Sequence, residues 1–188
     1  MSPSPARQIA ERIGEQQALI LAITRDLTAA QLTATASPHA PAISFHLWHI
    51  ARWADIVQAH LPGMGAEPDA APIQEFWQSE GLAVQWGLAN AELGYRDTGM
   101  GLSDATAQAL SLPDGATLVA YATRTFDAAA QATLAVDDER FTTPGRDPLG
   151  REITVGGAVL NHLLHLGRHL GMIEALRGVM GLHGTATR

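Results

Sequence analysis

The chain has no cysteine, which excludes disulfides, thiolate zinc sites and a cysteine nucleophile, so any metal must be held by nitrogen and oxygen. It is also poor in charge. Only 16% of its 188 residues are charged, and 12 basic residues face 19 acidic ones for a formal net charge of −7. No run of Lys or Arg occurs, so the electrostatic footprint of a nucleic-acid binder is missing and no nucleic-acid partner is expected. No apolar run reaches the roughly 18 residues a membrane helix needs. The first residues, MSPSPARQIAERIGEQ, turn polar at once and lack the apolar core of a signal peptide. The expectation is a soluble cytoplasmic protein with no membrane partner. Internal repeats, low-complexity tracts and β-alternation of any length are absent too, as are Glu-x-x-His, His-Glu-x-x-His, Gly-x-Ser-x-Gly, the P-loop and the dinucleotide glycine fingerprint. Gly99-Met100-Gly101 has no lysine after it and reads as a turn.

What remains is apolar and helical. Hydrophobic residues make up 46% of the chain, and the length suits one domain, residues 1–188, with a core that needs no staples. Apolar residues recur at helical spacing in four long stretches, at about 6–27, 45–61, 114–136 and 154–179, which predicts an all-α four-helix bundle. Ser44 reads as the N-cap of the second helix, and Thr154 or a neighbour starts the fourth, which Gly178 and Gly181 end. The second helix is apolar round nearly its whole circumference; Arg52 and Asp55, three apart on it, read as a weak surface salt bridge. Gly156-Gly157 permits close approach of another backbone, and 137–151 reads as a turn-rich loop. Residues 62–113 are irregular, with Phe76, Trp77, Trp86 and Tyr95 among glycines. A short helix capped by Ser103 is expected there, preceded by a lid-like segment. Residues 183–188 read as a frayed tail.

The chemistry-bearing residues are histidines. In NHLLHLGRHLGMIEALR, His162, His165 and His169 share one helical face, because positions four apart differ by only about 40° and positions three apart by about 60°. His46 and His49 form a second pair, in SFHLWHIARWAD. Imidazole binds first-row divalent ions through a neutral ring nitrogen, and three such ligands leave a position for water or substrate. The pair His165 and His169 at i, i+4, with His49 from the second helix, is the candidate ligand set. His46, His162 and Trp53 are candidates for outer contacts or pocket walls. Asn161 and Trp48 read as packing.

FHLWHIARWAD followed over a hundred residues later by NHLLHLGRHLGMIEALRG resembles the DinB superfamily, the metal-binding four-helix bundles of the DinB/YfiT-like group. EFW, DTGMGLSDATAQAL and LVAYA in the middle are similar to one branch of it, so the resemblance spans most of residues 10–180. It implies a divalent ion, Zn²⁺ or Ni²⁺, held by His49, His165 and His169, and a homodimer. Leu170-Gly171-Met172-Ile173 stands where the family usually has Arg-Gly-Gln-Ile, a departure beside the ligands.

Three functions are open at this level. The first is a metal-dependent transferase that activates a small-molecule thiol cosubstrate. The second is a metal-dependent hydrolase in which His46 or His162 relays the proton, since Glu174 lies about 140° from His169 round the helix. The third is a stress-related binding protein with a structural ion.

Overall fold

A computed structural model describes residues 3–65 and 73–185. Four long helices dominate: α1 (Pro5–Thr24), α3 (Ile43–His60), α7 (Gly115–Leu134) and α9 (Val155–Val179). Their starts are chemically marked. Ser4, Asp114 and Thr154 each accept a backbone N–H of the first turn, from Arg7, Thr117 and Gly157, and Pro5 sits where its missing N–H costs nothing. The fold is therefore the expected helical bundle.

The helix starting near Ser44 begins earlier than expected. Ala42 is the N-cap, makes no side-chain cap bond, and Ser44 lies inside α3, buried. Ile43 is fully buried, and burying such a side chain contributes about 1.5–3 kcal/mol against about 1 for a cap, so burial sets the start.

Around the bundle, α1 packs on α7 and α9, and α3 packs on the same two helices. The order is α1, α7, α3, α9, with α1 diagonal to α3 and α7 diagonal to α9. Two of the three long connections thus cross a diagonal instead of joining neighbours. The first crossing carries α2 (Ala29–Thr33), closed by a capping box between Thr28 and Gln31. The core between the helices is built from Ile13, Ile20, Leu47, Trp48, Ile50, Phe126, Val159, Leu166 and Ile173.

Residues 73–113 hold α4 (Phe76–Ser79), α5 (Leu82–Gln85) and α6 (Asp104–Ala109). Ser103 caps α6 through Thr106 N at 3.1 Å, as expected. Part of the irregular stretch, 66–72, lies outside the described residues. The segment before α6 is packed into the bundle: Trp77, Leu82, Leu88 and Leu93 are buried in the core. The loop at 137–151 is more ordered than expected. It contains α8 (Asp138–Phe141) and an antiparallel hairpin of β1 (Pro144–Arg146) with β2 (Glu152–Thr154). Three-residue strands are too short to show alternation; the hairpin is set by its turn, where Asp147 accepts from Leu149 N and Arg151 N. Gly156 admits a side chain where a backbone was expected, since a Cβ there would lie 2.3 Å from the Phe141 ring. Residues 183–185 are tied back by Arg177, which donates to His183 O, and by Glu174, which accepts from Thr185 N; the rest of the expected tail, 186–188, lies outside the described residues.

Candidate metal centre

The α3–α9 contact brings three imidazoles together. His49 on α3 and His165 and His169 on α9 each present a ring nitrogen, and these atoms all lie within 4.8 Å of one another. Nε2 of His49 is 3.0 Å from Nε2 of His165. Ring centroids are 4.9 Å apart for His49 and His165, 4.7 Å for His49 and His169, and 4.6 Å for His165 and His169. In a tetrahedral site with bonds of about 2.0–2.1 Å, ligand nitrogens sit about 3.3 Å apart, so the cluster has the right scale.

The proton bookkeeping also fits a ligand set. Nδ1 of His49 lies 2.5 Å from the Thr98 carbonyl oxygen, which can only accept, so Nδ1 carries the proton and Nε2 keeps its lone pair. Burial is the largest influence on every member and disfavours the charged ring. It lowers His49 to about 4, outweighing the Thr98 bond. Burial, then the neighbouring His49, His162 and Arg168, take His165 to about 3. Burial, then His49, His165, His46 and Arg168, take His169 to about 2. All three are neutral near pH 7, the form a metal needs.

His46 and His162, three residues ahead of proposed ligands, occupy different places. Nδ1 of His46 is 3.0 Å from Nδ1 of His169. One of these two nitrogens carries a proton and the other accepts it, and a proton on His169 Nδ1 leaves its Nε2 lone pair free. His162 is buried, is lowered to about 4 by that burial, and its Nε2 has no hydrogen-bond partner among the described residues. The Trp53 ring stands edge-on to His165 at 6.0 Å and to His49 at 6.5 Å. It walls the site.

A cavity of about 520 Å³ opens on the cluster. Trp53, Val57, Leu61, Met64, Pro148 and Leu164 give it an apolar lining, and His162, Asn161 and Arg168 add polar groups. Asn161, read as packing, is exposed and faces this space. Asp147 is matched by Arg151 at 2.6 Å, whereas Arg168 makes no ion pair among the described residues.

The polar core beside the histidines departs from the expected surface salt bridge. Arg52 and Asp55 are both fully buried, not at the surface. Arg52 uses every donor it has: Nη1 to Asp55 Oδ2 at 3.0 Å and Tyr121 Oη at 3.1 Å, Nη2 to Glu75 Oε2 at 2.7 Å and Arg96 O at 3.1 Å, and Nε to Asp97 O at 3.0 Å. Asp55 in turn accepts from Phe76 N and Trp77 N, capping α4 from another helix, and from Gln58 and Tyr121. Burial works against the Arg52 charge, but Tyr121 and Glu75 outweigh it and raise its pKa. The signal was present in the sequence: a helix apolar on all sides has no surface on which to leave an ion pair.

Similarity to known proteins follows the same lines. The sequence matches the profile of the DinB superfamily over residues 12–173. Among solved structures, a conserved protein of Enterococcus faecalis superposes with a TM-score of 0.74 at 13% identity, covering 96% of this chain and 99% of that one. YfiT of Bacillus subtilis, described as a probable metal-dependent hydrolase with an unusual four-helix bundle topology, superposes with a TM-score of 0.64 at 15% identity, covering 97% and 91%. A search of curated protein sequences returned no match.

Proposed function

The chain belongs to the DinB superfamily, and from that premise we propose that it is a metal-dependent enzyme of hydrolytic type, with His49, His165 and His169 as the ligands. The observation that carries this reading is the convergence of three neutral imidazoles from two helices on the wall of an open cavity. An all-nitrogen set of this kind suits Zn²⁺ or Ni²⁺. YfiT, which shares the fold, is described as a probable metal-dependent hydrolase.

A divalent ion in this position supplies Lewis acidity, lowering the pKa of a water or thiol ligand toward neutrality and polarising an electrophile. The chain's own residues do the rest. Trp53, Val57, Leu61 and Met64 give an apolar substrate body a place to shed water. Arg168, which lines the cavity and makes no ion pair among the described residues, favours a substrate carrying one anionic group. His162 is neutral and lies in the same wall, and the burial that keeps its ring uncharged suits it to lining the cavity rather than to taking up a proton.

No feature of the cavity favours a thiol cosubstrate over water, so the transferase reading stands behind the hydrolytic one. Turnover of small anionic esters and amides by the zinc-loaded and the chelated protein, with and without low-molecular-weight thiols, separates the two. Hydrolysis that disappears on chelation and needs no thiol supports the proposal; activity only with thiols replaces it with transfer. Loss of helix and melting temperature on chelation, with no turnover under any condition, would leave the ion a structural role.

A further inference from the structure

Three successive carbonyls of one loop point at two residues of α3. Arg96 O and Asp97 O accept from Arg52, and Thr98 O accepts from His49, three residues earlier on the same helix. The loop adopts this course at a cost. Arg96 and Asp97 both have positive φ, 49° and 54°, and non-glycine residues in that region cost on the order of 1–3 kcal/mol each unless their surroundings hold them. The surroundings that hold them are Arg52 itself, the Glu75 carboxylate that grips the Arg96 guanidinium, and the Trp77 indole N–H that donates to Asp97 Oδ2 at 3.0 Å. Arg52 is oriented in its turn by Asp55, Glu75 and Tyr121, and its guanidinium lies 4.8 Å over the Trp77 ring. The hydrogen-bonded link from this network to the imidazole cluster runs through the Thr98 carbonyl to His49 Nδ1.

We propose that Arg52 is a positioning residue for the metal centre: by holding the carbonyls of 96 and 97 it places that of 98, which fixes the tautomer and tilt of His49. The proposal rests on the reading of His49 as a ligand. A metal-binding histidine presents one nitrogen to the ion only when the other is anchored, and losing that anchor weakens binding about 10–100-fold. A planar fork of five donors is what the site needs, since it must reach two consecutive carbonyls and two carboxylates at once. Lysine keeps the charge that Asp55 and Glu75 require but has three donors on a point charge and cannot span both sets. Arg52→Lys therefore separates holding the fold from aiming the histidine.

The test compares the full-length wild type with Arg52→Lys, both stripped of metal and then titrated with zinc ion. Circular dichroism and cooperative melting establish that each is folded, and nitrogen-15 spectra read the His49 Nδ1–H. The wild type shows a protected Nδ1–H and, on adding zinc, slower amide exchange across residues 95–99. Arg52→Lys loses the protected Nδ1–H and binds zinc about 10–100-fold more weakly. Equal zinc affinity with an unchanged Nδ1–H overturns the proposal. Should the variant fail to fold, the wild-type exchange decides, and a loop that does not respond to zinc overturns it as well. Should the wild type bind no zinc, the metal reading fails by itself, and a protected Nδ1–H that survives in Arg52→Lys still counts against positioning.

Discussion

At the scale of single residues, the five clustered histidines differ in what they touch but share one electrostatic condition. Burial holds His46, His49 and His162 at about 4, His165 at about 3 and His169 at about 2, all below the ordinary 6.5. A folded-state pKa below the unfolded value means that the unfolded chain takes up protons first. In the metal-free protein the contribution of these rings to stability is therefore present above pH 6.5 and is lost as pH falls from there toward about 2. Melting temperatures of the stripped protein at pH 7.5, 6.0 and 5.0 check this, and a flat profile would contradict it. His46 offers a second expectation, because its Nδ1 meets that of His169 at 3.0 Å. His46→Leu should weaken zinc binding about 10–100-fold without changing the number of ions bound, and His46→Gln, which keeps a hydrogen-bonding group, should weaken it less. Competition titration against a chromophoric chelator measures both. The pair His165 and His169 was legible because helical spacing is a property of sequence, whereas His49 joins it only through the packing of α3 on α9; ring orientation was not legible, since the partners come from residues 46 and 98 across the fold.

Among the elements, α3 carries the most meaning per residue. It supplies His49 to the cluster, Arg52 to the carbonyl row, Asp55 as a remote cap for α4 and Trp48 to the core. Its helical character is plain in the sequence, but its polar residues cannot be assigned until the segment at 75–98 is laid against it. That segment has little periodicity, and its path is fixed by long-range hydrogen bonds with no local signature. Gly99 shows the constraint most sharply. It has φ of 84°, and a Cβ there would come within 2.7 Å of the Phe45 ring, which itself stacks on His49 at 5.9 Å with an interplanar angle of 17°. Gly99→Ala should destabilise the protein by about 1–3 kcal/mol through strain and overpacking. Because the added methyl pushes on the loop that holds Thr98, zinc affinity should fall as well. Chemical denaturation of the stripped variant and a zinc titration measure the two effects; a stable variant with wild-type affinity would show that the loop is free to shift. Asp55→Ala removes one partner from a buried network and should cost about 3–5 kcal/mol in the same denaturation assay.

For the molecule as a whole, the all-α bundle followed from the apolar periodicity, but the order of helices round it did not. Helices in sequence would be neighbours if their connections were short; here the 25–42 and 135–154 connections cross diagonals, and this places α3 beside α9. That adjacency makes the site, since α3 supplies His49 and α9 supplies His165 and His169. Among the described residues no helix is long and apolar enough to cross a membrane. On the proposed function, one divalent ion joins α3 to α9 through His49, His165 and His169. The most direct measurement is the number of zinc ions bound per chain, by elemental analysis after equilibration and gel filtration, for the wild type and for His49→Ala, His165→Ala and His169→Ala. One ion per wild-type chain is expected, with loss of tight binding and retained helix content in each variant. A wild type that binds no ion, or three variants that bind it as the wild type does, would contradict it.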